Sequence, residues 1–142
     1  MDSSNLKDLL KSDLQARLTI IREKAIEIWS SPRHRFFTDH SPSGHSERVI
    51  GYLNAVVEDL MKTDKALNQH EIFILLSSAY LHDIGMQYDK DPKLDLFQTR
   101  DVHHLLSENM IIGSVNDPRN YPNLSLSPEY VDEIAKVSKG HT

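Results

Sequence analysis

The chain has 142 residues, which fits one domain able to bury a core without needing a disulfide or a structural metal merely to fold. It is 39% hydrophobic and 26% charged, and its eight histidines come with no cysteine, which excludes a disulfide framework, thiolate metal sites and cysteine nucleophiles. A formal net charge of −5 argues against a generally basic nucleic-acid surface while leaving room for a local basic pocket. No apolar run approaches a membrane span, and the start MDSSNLKDLLKSDLQ lacks the basic and apolar regions of a secretory signal, so the chain reads as cytoplasmic.

From Leu6 to Trp29, apolar residues recur at spacings of three and four: Leu6, Leu9, Leu10, Leu14, Leu18, Ile21, Ala25 and Ile28. That is one helical stripe, with Asp2, Ser3 or Ser4 as its cap and Ser31-Pro32 as its end. The segment PRHRFFTDHSPSG reads as a loop. A second helix is expected from about His45 to Met61, capped by Ser41 or Ser43, with Val49, Tyr52, Leu53, Val56, Val57 and Leu60 inward. A third runs from about Gln69 to Ile84; its centre, IFILLSSAYL, is apolar almost all round, as in a helix surrounded by others, and Gly85 stands where a helix stops. A fourth spans about Thr99 to Ile112 and ends at Gly113. After the irregular SVNDPRNYPNLSLS, Ser127-Pro128 opens a fifth, with Tyr130, Val131, Ile134, Ala135 and Val137 as its apolar positions and Gly140 as its terminator. With no strand alternation and no repeat, the expectation is an all-α compact bundle of about five main helices, one domain over 1–142 with an N-terminal helix at 1–31.

The sharpest chemical signal is LHDIG at 81–85. It places two ionisable groups at the end of the most buried helix, a costly arrangement unless something satisfies them. A divalent cation does so, because neutral imidazole and carboxylate are both good ligands. Further ligands must then come from other helices, and His45 in GHSERV, His103 and His104 in RDVHHLLSEN, and His141 are placed to supply them.

The order His45, His82-Asp83, His103, His141 resembles the HD superfamily of metal-dependent phosphohydrolases, named for a consecutive His-Asp pair. The resemblance covers about residues 36–141. HHLLSENMI is similar to the family stretch in which a His is followed four residues later by a small residue, here His103 and Ser107. IAKVSKGH is similar to the stretch leading into a further His, here His141. FTDHSPSGHSERVI is similar to HD domains fused to GHKL-type ATPases, which implies a fused or partner ATPase domain. The family's last metal-binding Asp lies later than His141, and no carboxylate follows His141 here, so the sequence reads as a fragment of a longer protein or as an incomplete site.

The resemblance implies one or two divalent ions (manganese, iron, magnesium, nickel or zinc) held by His45, His82, Asp83, His103 and His141, with Asp83 bridging two of them. It also implies His82 and Asp83 as the catalytic pair, with an activated water attacking phosphorus in a nucleotide or other phosphate ester. Arg48 and Arg100 are candidates to hold phosphate oxygens, since guanidinium pairs with them bidentately, and His40 is placed to line the same pocket. Two readings stay open: a phosphohydrolase, and a non-catalytic HD module that binds metal or ligand and regulates an attached or partner domain.

Overall fold

The structure, a computed structural model, describes residues 5–30, 42–87, 93, 95, 98, 99 and 102–140. Among these residues there is no strand, and the six α-helices are α1 (Leu6–Leu9), α2 (Ser12–Ser30), α3 (Glu47–Val57), α4 (Gln69–Leu81), α5 (His103–Asn116) and α6 (Pro128–Lys139). A π-helical turn, Pro42–Ser46, leads into α3, and 3-10 turns follow at Leu60–Lys62 and Ile84–Gln87. The expected all-α bundle is observed. Among the described residues, no helix is long and apolar enough to cross a membrane.

The N-terminal stripe is buried as expected at Leu6, Leu10, Leu14, Leu18, Ile21 and Ala25, but the helix carrying it is not continuous. Leu10 is extended, with φ −74 and ψ 145, and separates α1 from α2. Such a break opens backbone groups that need partners. Gln69 of α4 supplies two of them: its Nε2 donates to the Leu9 carbonyl at 2.6 Å, and its Oε1 accepts from the Lys11 amide at 2.7 Å. Gln15 Nε2 donates to the carbonyls of Lys7 and Leu10. Asn5 caps α1 by accepting from the Lys7 amide, whereas the expected caps Asp2, Ser3 and Ser4, and the expected stop at Ser31-Pro32, lie outside the described residues.

α4 is the centre of the bundle, packed against α2 and α6. It begins with a capping box: Asn68 Oδ1 accepts from the Glu71 amide at 2.8 Å, and Glu71 Oε1 accepts from the Asn68 amide at 2.9 Å. Ile72, Phe73, Leu76, Ala79, Tyr80 and Leu81 are all buried, as a helix apolar on most sides requires. Trp29 is buried against Met86 in a small cluster of its own.

Two sequence expectations are corrected. The inward face of α3 is only half the expected one: Val49, Leu53 and Val57 pack against the core beside the buried Ile50, whereas Tyr52 is 72% and Val56 77% exposed, and Leu60 is exposed as well. Asn54 Oδ1 accepts a hydrogen bond from the Leu6 amide at 2.9 Å. Gly113 does not end the fourth main helix, which runs on to Asn116. A Cβ at Gly113 would lie 2.3 Å from the Tyr121 ring, so this glycine makes a seat for an aromatic side chain from the loop before α6. The fifth main helix follows expectation, with Pro128 in its first turn and Gly140, at φ 83, ending it.

Candidate metal centre

The site starts from the end of α4. The His82 amide donates to the Ser78 carbonyl at 2.8 Å and closes the helix. Asp83 follows in a turn whose carbonyl accepts from the Met86 amide at 3.0 Å, leaving the Asp83 side chain only 7% exposed. Gly85, expected as a helix stop, serves another purpose, since α4 already ends at Leu81 and Gly140 is the glycine with positive φ among the described residues. A Cβ on Gly85 would sit 2.1 Å from the His103 carbonyl oxygen and 2.5 Å from the Ser107 amide nitrogen. Only a residue without a side chain lets α5 approach the turn this closely. The buried Ser107 hydroxyl fastens the contact by donating to the His82 carbonyl at 2.7 Å and accepting from the Gly85 amide at 2.8 Å.

Three imidazoles meet at one carboxylate. His45, from the turn before α3, and His82 each place Nε2 3.2 Å from Asp83 Oδ2. His103, at the start of α5, places Nε2 3.2 Å from Asp83 Oδ1. The His45 and His82 rings lie 5.3 Å apart, and those of His103 and His104 3.8 Å apart. Two groups of potential ligand atoms result, each within 4.8 Å mutual reach: His45, His82 and Asp83 on one side, and Asp83, His103 and His104 on the other.

Electrostatics fit the geometry. Burial alone would raise the Asp83 pKa, but hydrogen bonds from His103 and His82, and the charges those rings carry when protonated, outweigh it and hold the carboxyl far below its usual range. Burial would likewise lower His82, but its contact with Asp83 and its bond to the Ala79 carbonyl raise it. The Ala79 carbonyl, 2.8 Å from His82 Nδ1, can only accept, so Nδ1 carries a proton and Nε2 is the atom turned to Asp83.

An ionised carboxylate has no proton to give. The His82 Nε2 facing it must therefore hold a proton of its own or share a cation with the carboxylate. The donor set of imidazole nitrogens and carboxylate oxygens, buried and drawn from three separate elements, suits a divalent ion, and the Nδ1 anchoring of His82 is the outer bond that orients a metal-binding imidazole. The residues present thus fit a metal.

Of the residues singled out in the sequence, His45, His82, Asp83 and His103 are brought together. Arg48 is exposed on α3. His40, Arg100 and His141 lie outside the described residues. Sequence reasoning preferred His103 to His104, yet both reach the Asp83 cluster. It also missed Glu47 and Tyr80, each two residues along the chain from a site histidine, whose side chains meet at 2.5 Å.

The model of the HD-CE family matches residues 34–142, so the match takes in the whole His/Asp cluster. The chain belongs to the HD-CE family. No curated protein and no solved structure matches it. The HD-CE match covers every motif in the histidine series, whereas α1 and α2 precede it.

Proposed function

We propose that this HD-CE domain is a metal-dependent phosphohydrolase acting on a nucleotide or other phosphate ester. The reading rests on one observation: imidazoles from three elements converge at 3.2 Å on the two oxygens of one buried carboxylate. One or two divalent ions bound there would supply an activated water and polarise a phosphoryl oxygen. His45 and His82 face Oδ2 of Asp83 while His103 faces Oδ1, which suits a carboxylate shared between two ions. His104 then completes the second group. Asp83 brings negative charge to the cluster, and Ser107 and Ala79 fix the ring and turn that present it. Arg48 is the described candidate to meet phosphate oxygens, with His40 and Arg100 as further candidates and His141 as a further ligand.

The experiment is a phosphatase screen with added manganese on wild type and Asp83→Ala. Hydrolysis of a phosphate ester by wild type and not by the variant is the expected result. Equal turnover by the two proteins rejects a catalytic role for the cluster. Metal binding without turnover of any ester would favour a non-catalytic module that regulates an attached or partner domain.

A further inference from the structure

α3 rests on the bundle through one fully buried side chain, Ile50, with Val49, Leu53 and Val57 partly buried against the core, while Tyr52 and Val56 project into solvent. Polar anchors add to this hold, and Glu47 makes several of them. Glu47 Oε1 accepts from the Tyr80 hydroxyl of α4 at 2.5 Å. Lys7 Nζ of α1 reaches both carboxylate oxygens, at 3.0 and 3.3 Å, and Arg22 Nε of α2 lies 3.7 Å away. The Lys7 ammonium also stands over the Tyr80 ring, 5.2 Å from its centre. Burial opposes the Glu47 carboxylate, but the bonds from Tyr80 and Lys7 and the charges of Lys7 and Arg22 outweigh it, so the group stays ionised. Tyr80 is 2% exposed, so its hydroxyl requires a partner, and Glu47 provides one.

Connectivity along the chain lets this network act on the site through the backbone, since residues two apart on a helix do not share a face. Glu47 stands two residues after His45, and Tyr80 two residues before His82. The bond between them ties the start of α3 to the end of α4, the two backbone segments that carry the histidines that must meet. We infer that Glu47 and Tyr80 are positioning residues, braced by Lys7 and Arg22, that hold His45 against the His82–Asp83 corner. The inference rests on the metal reading of that corner. It makes the two N-terminal helices, which precede the family match at 34–142, part of the scaffold of the site.

The test is a manganese titration by calorimetry on the full chain, at a temperature well below each variant's melting point, with circular dichroism confirming helix content. Tyr80→Phe removes the hydroxyl and Glu47→Ala the acceptor; each should weaken manganese binding about 5–10-fold, as loss of one hydrogen bond does. Glu47→Gln keeps an oxygen for Tyr80 and should restore most of the affinity, a rescue that a mere contribution of the Lys7 and Arg22 ion pairs to stability would not give. Wild-type affinity in both Tyr80→Phe and Glu47→Ala overturns the inference. Crystal structures of the metal-free variants give a second readout: the 3.2 Å approach of His45 to Asp83 should lengthen in Tyr80→Phe and Glu47→Ala. If it is unchanged in both, the inference fails whatever the metal result. A wild type that binds no manganese sinks the metal reading instead, and the crystal structures still decide the positioning role.

Discussion

Gly85→Ala is the smallest change that should open the candidate metal centre. The added methyl would lie 2.1 Å from the His103 carbonyl oxygen, 2.5 Å from the Ser107 amide nitrogen and 2.8 Å from its hydroxyl oxygen. The first two neighbours are backbone, so no side-chain rotation relieves the clash, and α5 must retreat by about 1 Å to restore ordinary contact. Overpacking of this kind costs roughly 1–3 kcal/mol. The retreat also stretches the two hydrogen bonds of the buried Ser107 hydroxyl, and each buried group left without a partner costs about 1–3 kcal/mol more. A total of about 3–5 kcal/mol is a large part of the stability of an ordinary domain. Urea unfolding followed by circular dichroism should show it as a lower midpoint with an unchanged slope. The same retreat carries His103 away from Asp83 by more than the roughly 0.2 Å tolerance of a metal–ligand distance, so manganese affinity should fall as well. A variant within about 0.5 kcal/mol of wild type, with undiminished metal binding, would refute the close contact between the turn and α5.

Other outcomes follow from the same geometry. Ser107→Ala should cost about 2–4 kcal/mol in urea unfolding, because it strands the His82 carbonyl and the Gly85 amide together; a loss below about 0.5 kcal/mol would deny the hydroxyl its double role. The Asp83 pKa is depressed below 3.8, so the stability it contributes is complete above that value and is lost as pH falls through the folded pKa. The His82 pKa is raised above 6.5, so its contribution is complete below 6.5 and is lost as pH rises through the folded pKa. In chelator-treated protein, the difference in melting temperature between wild type and Asp83→Asn should therefore be largest between pH 3.8 and 6.5 and shrink on both sides; a difference that keeps growing at alkaline pH contradicts this pairing. Manganese at about 100 times its Kd should stabilise the wild type by roughly 2.7 kcal/mol. That is a rise of several degrees in Tm by thermal melt, and it should be absent from Asp83→Ala.

The gathering of His45, His82, Asp83 and His103 was legible in the sequence because the motifs HSERV, LHDIG and HHLLSEN carry a family order, and the periodicity of their helices placed them at helix ends. What escaped was everything set by a partner far along the chain. Gly85 and Gly113 look like helix stops, since a glycine suits both a left-handed turn and a close approach, and the groups that approach them, on α5 and at Tyr121, are invisible locally. The break at Leu10 hides inside an unbroken apolar stripe because its open groups are satisfied by Gln69 from another helix. The inward reading of α3 failed at Tyr52, Val56 and Leu60, whereas Asn54, a polar residue, contacts the Leu6 amide. Glu47 reads as one more surface charge until Tyr80, Lys7 and Arg22 are seen around it.

The most direct measurement is metal content per chain after manganese loading and removal of free ion, by elemental analysis, on wild type beside Asp83→Ala and His45→Ala. Wild type should retain one or two ions per chain, Asp83→Ala none, and His45→Ala fewer than wild type. A wild type that retains no more manganese than Asp83→Ala would contradict the reading of this buried corner as a metal centre.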